Sequence, residues 1–188
     1  MCGRYYIKHK MYENLPAFLI PADYKCEDRD ILPSEKALIL RKGGARIEGS
    51  VLSWGYPAKQ SGGLVINARA ETLHEKPMFC EDVMRRRCLI PASGFYEWDR
   101  SKQKATIRVP EEELIYFAGI YGIREGVERF VIITREAAGE MCRIHERMPL
   151  IVPGSRMDEW FSEDYREIFA AAMPGLDIQI ENEQLSFF

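Results

Sequence analysis

Residues Cys88 to Thr134 read CLIPASGFYEWDRSKQKATIRVPEEELIYFAGIYGIREGVERFVIIT, and the fold is decided there. Four β-rich runs fall inside this stretch, at Cys88 to Pro91, Thr106 to Val109, Leu114 to Ile120 and Phe130 to Thr134. Each is bounded by Gly, Pro or polar clusters, as strands are. Their spacing leaves no room for a crossover helix between every pair, so an antiparallel, strongly bent sheet system is expected rather than a doubly wound parallel one. Outside this stretch, Ala37 to Leu40, Leu64 to Ile66 and Leu150 to Val152 carry the same signature. Helical signals are fewer: Tyr12 to Leu19, Pro77 to Arg86, Glu136 to Arg143 and Met157 to Met173. In the last, Met157, Trp160, Phe161, Tyr165, Ile168 and Phe169 form an apolar stripe read as core packing, and Ser155 stands where an N-terminal cap would, ahead of Asp158 and Glu159.

The chain has 188 residues, 46% hydrophobic and 29% charged, and contains no repeat or dividing linker, so a single folded domain over 1–188 is expected. Arg4, Lys8 and Lys10 stand where a signal peptide needs apolar residues, and no run approaches a membrane span, so a cytoplasmic location is expected. The five cysteines (Cys2, Cys26, Cys80, Cys88, Cys142) show no CxxC pair and no ligand spacing to histidine, so neither disulfides nor a metal site is expected. Except for Cys2, they read as buried small hydrophobes. The net charge of -3 requires any nucleic-acid contact to come from a local patch. Arg85, Arg86 and Arg87 offer one such cluster and Arg100, Lys102 and Lys104 another, though each alone reads first as a solvated face.

Cys2 follows the initiating methionine, and a small residue at position two favours removal of Met1. The mature terminus would then place an amine of pKa ~7.7–8.0 beside a thiol of pKa ~8.5. An amine condenses with an aldehyde to an imine, and the neighbouring thiol can close on the imine carbon to give a thiazolidine. The same pair also suits amide hydrolysis, with the amine as base for the thiol. Position alone leaves these uses level with a cysteine placed by accident.

Three downstream segments supply polar partners. Asn67 and Arg69, two apart after an apolar run, point to one face if extended, and amides and guanidinium forks suit phosphate or carboxylate. Glu97 lies between Tyr96 and Trp98, surroundings that raise a carboxyl pKa towards general acid/base use. His145 precedes the apolar run of PLIV, and histidine titrates closest to neutral pH. Taken singly, Glu97 reads first as a salt-bridge member and His145 as a hydrogen-bonded core residue.

Together the segments MCGRYY, LSWGYP, VINARAET, EKPMF, RRRCLIPASGFYEW, FAGIYG, FVIIT and IHERMPLIV resemble the SOS response-associated peptidase (SRAP) family, in its order and with similar gaps. Its members look like sensors of abasic sites in single-stranded DNA. The resemblance implies that Cys2 forms a thiazolidine with the ring-opened sugar aldehyde. It implies that Asn67 orients the sugar and holds the reacting terminus, that Glu97 shuttles protons, and that His145 acts as acid/base, including in reversal. Arg4 and Arg69 would hold phosphates, Thr134 and Arg147 would support them, and Pro33 would shape the DNA edge. No cofactor is implied, and a monomer acting on single-stranded DNA with abasic sites is expected. The chain departs from the pattern in GYPAKQSGGLVI, which lacks the aromatic many members carry there. It departs again in REAAGE, where asparagine is usual near Ala138, and at its end, where Phe188 comes without the Val-Asn strand of many relatives.

An N-terminal-nucleophile cysteine amidohydrolase or thiol peptidase is the alternative, opposed by Arg4 directly after Gly3, where such enzymes continue into a buried strand. A noncatalytic DNA-binding module is supported only by the basic clusters. The resulting expectation is an α+β fold, a single domain with an antiparallel strand-rich barrel-like core, flanking helices and a positively charged groove leading to Cys2.

Overall fold

A computed structural model of the protein describes residues 2–58 and 62–181. Met1, the middle of the GYPAKQSGGLVI segment and the closing tail lie outside the described residues. The strands are β1 (Arg4–Ile7), β2 (Arg29–Ile31), β3 (Lys36–Gly43), β4 (Arg46–Trp54), β5 (Tyr56–Pro57), β6 (Leu64–Val65), β7 (Asn67–Arg69), β8 (Arg87–Ala92), β9 (Gly94–Trp98), β10 (Lys104–Arg108), β11 (Ile115–Arg124), β12 (Val127–Glu136), β13 (Arg147–Pro149), β14 (Ile151–Val152) and β15 (Asp177–Ile180). The α-helices are short: α1 (His9–Glu13), α2 (Cys80–Arg85) and α3 (Met157–Trp160).

Strands β12, β4, β3, β8 and β11 pair in that order, and the β11–β12 pair closes the ring into a five-stranded barrel. The expected strand-rich α+β fold with a barrel core is therefore what forms. Antiparallel pairing dominates, and among the described residues β12 alone accepts parallel neighbours, β4 and β7. The β11–β12 hairpin turns on Glu125 and Gly126, both at positive φ, as a two-residue turn matching the strand twist requires. The apolar runs of β8, β11 and β12 are buried without alternation because both of their faces are covered. One cover is a second sheet, ordered β15, β10, β9, β1, β2, whose Tyr5 and Phe95 rings meet Phe117 edge-on at 5.8 and 5.9 Å. Gly94 is required at the start of β9, since a β-carbon there would run into the Ile107 carbonyl and the Tyr6 ring.

The helical expectations need correction. Tyr12 to Leu19 divides into α1 and a 3-10 turn at Ala17–Leu19, because Pro16 between them has no N–H to continue a helix. Pro77 to Arg86 shortens to α2. Glu136 ends β12, leaving only a 3-10 turn over Gly139–Arg143. Met157 to Met173 becomes α3 and a 3-10 helix at Tyr165–Ala170. The break falls where the Ser162 hydroxyl donates to the Glu159 carbonyl and accepts the Asp164 N–H, competing with the helical ladder. Ser155 lies within a 3-10 turn and makes no capping bond; Arg156 holds the cap position. The stripe itself is core: Trp160, Phe161, Tyr165 and Ile168 are buried.

The Arg85 to Arg87 cluster is largely spent on structure. Arg86 pairs with Glu81 and Asp82, while Arg87 donates to the carbonyls of Val83, Met84, Trp160 and Ser162. Cysteine burial also differs from expectation: Cys88 is buried, Cys26 and Cys80 are half-buried, and Cys142 is exposed because its turn lies at the surface. All five are free.

One buried ionic cluster ties β5, α2 and β11 together. Asp82, 1% exposed, accepts from the Tyr56 hydroxyl at 2.9 Å, from Arg86 Nε at 2.6 Å and from Arg124. Asp82→Ala would strip the buried Tyr56 hydroxyl of its acceptor and Arg86 and Arg124 of the buried carboxylate they share, at a cost of about 3–5 kcal/mol. Urea unfolding should show this as a lower midpoint, and a midpoint within error of the parent chain would contradict it.

Candidate active site

Four segments distant in sequence converge on the start of β1. Cys2 precedes that strand and has no exposed surface. Burial pushes its thiol far above the usual cysteine range, and the Glu97 charge adds to the effect. The thiol is therefore neutral at ordinary pH.

Asn67 opens β7, and the segment before it is pinned by Trp54. The fully buried Trp54 indole donates to the Ile66 carbonyl at 2.9 Å, stacks on Phe130 and meets Tyr5 edge-on. With β7 running parallel to β12, Asn67 sits opposite Ile132 and its Nδ2 donates to the Cys2 carbonyl at 2.9 Å. Its Oδ1 is buried and accepts no bond from the described residues.

Glu97 lies on β9, one residue beyond the Arg4–Tyr96 pair that joins β9 to β1. Alternation turns Phe95 and Glu97 inward and leaves Tyr96 and Trp98 outward. Burial raises the Glu97 carboxyl above the usual range, and the charge of His145 partly opposes this. Glu97 and His145 thus feel one another across the site. His145 lies just before β13, and its Nδ1 accepts the backbone N–H of Arg147 at 2.9 Å, so its neutral ring carries the proton on Nε2.

The remaining residues divide. Arg69 is exposed, opposite Thr134 in the β7–β12 pair. With Glu136, Ala137, Cys142, Glu146 and Arg147 it lines a cavity of about 470 Å³. Arg147 is 94% withdrawn from solvent by the same arrangement that gives its guanidinium to Glu71 at 2.9 and 2.8 Å and to the Thr134 carbonyl at 2.8 Å. Arg4 is on the outer side of the second sheet, 3.7 Å from Asp30 and over the Trp98 ring. Pro33 sits in the β2–β3 turn, which Ser34 fastens to the Trp54 carbonyl at 2.9 Å. The structure therefore groups Cys2 with Asn67, Glu97 with His145, and Arg69 with Thr134 and Arg147. Arg4 and Pro33 lie at the edges.

Sequence reasoning did not single out Glu71, Asp30 or Trp98. Glu71 had a usable signal, an acid two residues after Arg69 in the same polar segment. The partnerships of Asp30 and Trp98 depend on strand register, which no local pattern carries. Among the described residues no group of three or more His, Cys, Asp or Glu could hold a metal ion, and no helix is long and apolar enough to cross a membrane.

The family described as SOS response associated peptidase (SRAP) matches residues 1–184. The abasic site processing protein YoqW of Bacillus subtilis is 33% identical over 181 residues, covering 86% of this chain and 80% of its own. The abasic site processing protein YedK of Escherichia coli is 28% identical over 180 residues, covering 87% and 81%. Among solved structures, a phage-related protein of Bordetella bronchiseptica superposes with a TM-score of 0.77 at 26% identity, over 97% of this chain and 95% of that one. A second Bordetella bronchiseptica protein, 19% identical, reaches a TM-score of 0.79 over 96% of this chain and 100% of its own and so shares the fold. With a match that runs almost from end to end and a relative that is one-third identical over most of its length, the chain belongs to the SOS response associated peptidase (SRAP) family.

Proposed function

We propose that the protein processes abasic sites by forming a covalent thiazolidine between Cys2, exposed as the terminal residue after loss of Met1, and the aldehyde of the lesion in single-stranded DNA. The observation that carries this reading is the hydrogen bond from Asn67 Nδ2 to the Cys2 carbonyl, 2.9 Å across a separation of 65 residues. A side chain spent on fixing the backbone of a terminal residue makes sense where that terminus reacts. The names of the relatives YoqW and YedK agree in pointing to abasic sites.

The chemistry needs three proton movements. Opening the sugar ring takes a proton from the anomeric hydroxyl and gives one to the ring oxygen. The amine adds to the freed aldehyde, and the carbinolamine loses water once its hydroxyl is protonated. The thiol then bonds to the imine carbon, the π electrons pass to nitrogen, and the thiol proton follows them. The product is protein plus DNA less one water. Glu97, whose acid form burial favours, serves as the acid for water loss and then as the base for the thiol. His145 works on the sugar side and in reversal, and the unused Asn67 Oδ1 accepts from the sugar hydroxyl or the terminal amine. Arg69 and Arg4 neutralise phosphates, with Thr134 and Pro33 shaping the strand's path and Arg147 behind them. Release of Met1 or a short leader by the chain itself is compatible with the same terminus.

Intact-mass measurement tests the reading. The chain beginning at Cys2, incubated with an abasic single-stranded oligonucleotide, should give a heat-stable species at the summed mass less one water. An undamaged oligonucleotide should give none. Neither should the chain that retains Met1, whose Cys2 nitrogen is an amide. No such species from the Cys2-initiated chain would end the proposal, and ammonia release from glutamine would replace it with an amidohydrolase.

A further inference from the structure

We infer that Glu71 is a positioning residue for His145, acting through Arg147, an assignment that rests on the aldehyde-capture reading above. Glu71 lies in the 3-10 turn Ala70–Thr72 that follows β7, two residues past Arg69. Its carboxylate takes the Arg147 guanidinium as a fork, Oε1 accepting from Nη1 at 2.9 Å and Oε2 from Nη2 at 2.8 Å. Oε1 also accepts the backbone N–H of Glu136 at 3.2 Å. The bond to Arg147 holds the Glu71 carboxyl below the usual range, so the pair stays charged.

The fork joins three elements that each carry part of the site. β7 brings Asn67, bonded to the Cys2 carbonyl; β12 ends at Glu136; β13 begins at Arg147, directly after the His145 segment. The Arg147 side chain is only 7% exposed, and Nη2 also donates to the Thr134 carbonyl at 2.8 Å. Its charge is therefore matched by a carboxylate, and its donors point into the protein. Together with the pairing of Arg147 opposite Glu136 in β12, the fork braces the Arg147 backbone, whose N–H donates to His145 Nδ1 at 2.9 Å. That bond sets the neutral ring as the Nε2–H form and orients it, as a partner on one ring nitrogen does for a working histidine. Glu71 thus relates the Asn67–Cys2 half of the site to the His145–Glu97 half.

Glu71→Gln is nearly isosteric but lacks the charge and the second acceptor that the fork needs. Two measurements on the Cys2-initiated chain decide the matter. In a 15N–1H correlation of the imidazole, the parent should show His145 as Nε2–H, and Glu71→Gln should show a mixture with Nδ1–H. With an abasic oligonucleotide, the rate of adduct formation at saturating DNA should fall on the order of tenfold, a fraction of what general acid–base catalysis contributes. The Kd for an undamaged oligonucleotide should stay unchanged. A parent-like ring spectrum and rate would overturn the assignment. So would tighter DNA binding at unchanged rate, which would make Arg147 a phosphate contact that Glu71 holds back. Should Glu71→Gln not fold, Arg147→Lys keeps the charge and the amide but loses the fork; the same ring change is expected, and its absence counts against the inference. The ring measurement needs no DNA, so failure of the parent chain to crosslink would end the aldehyde reading and still leave Glu71's hold on His145 decided.

Discussion

Cys2→Ala in the chain that begins at residue 2 is expected to abolish the heat-stable adduct with abasic single-stranded DNA while leaving the protein folded. Alanine is also small, so Met1 is still removed and the terminal amine remains to condense with the aldehyde. The imine it forms has no thiol to close on it, and water returns it to aldehyde and amine. Borohydride added during the reaction should therefore trap a reduced adduct from Cys2→Ala, even though heating without reductant shows none. This separates loss of ring closure from loss of DNA binding. A Cys2→Ala chain that yields as much heat-stable product as the parent would sink the thiazolidine. On the proposed reading, burial of the thiol, which raises its pKa, favours the amine as the first nucleophile. A neutral thiol is a poor nucleophile, so the amine acts first and the sulfur follows when its proton can be taken.

Glu97→Gln has the second largest expected effect, a fall of roughly 10²–10⁴ in the rate of adduct formation, the usual contribution of a placed acid or base. Burial raises the Glu97 carboxyl, so its acid form persists above the range where an exposed glutamate has ionised. The parent rate should drop as pH rises through that raised value, and Glu97→Gln should lose this limb of the profile. Stability should move the other way. With the folded pKa above the unfolded one, the folded state binds the proton more tightly. The stability Glu97 contributes is complete below its unfolded pKa and is lost as pH rises through the folded value. Near neutrality glutamine removes a charge that burial disfavours, so the variant should unfold no earlier than the parent in a thermal melt. A variant that is both slow and markedly less stable would point to a structural role for Glu97 instead.

What could be read from the sequence follows from what each pattern encodes. The runs at Cys88, Leu114 and Phe130 are apolar on both faces, and each became a barrel strand, β8, β11 and β12. β1 and β9 were hidden because Arg4, Tyr96 and Glu97 interrupt them with polar side chains, some turned outward and some kept for the site. The helix expected over Met157 to Met173 failed on one hydroxyl, Ser162, whose bonds a periodicity argument does not weigh. Cys2, Asn67, Glu97 and His145 were legible as unusual side chains in apolar settings. Glu71 offered only its place two residues after Arg69, because its pairing with Arg147, 76 residues away, is written in no local pattern.

The order of strands in the second sheet has a consequence for biosynthesis. β1 lies between β2 and β9, and Asn67 closes over its leading residue. The first strand to be made is thus the one that waits longest for a neighbour. At the usual pace of translation, the ~90 residues separating it from β9 take about 5–20 s to emerge. Through that interval the leading end lacks one wall of its final enclosure and lies open to an enzyme that trims the initiating methionine. Once β9 docks, Cys2 is buried. On the proposed reading, slower trimming would leave part of the population with the Cys2 nitrogen still tied up as an amide and unable to take up an aldehyde.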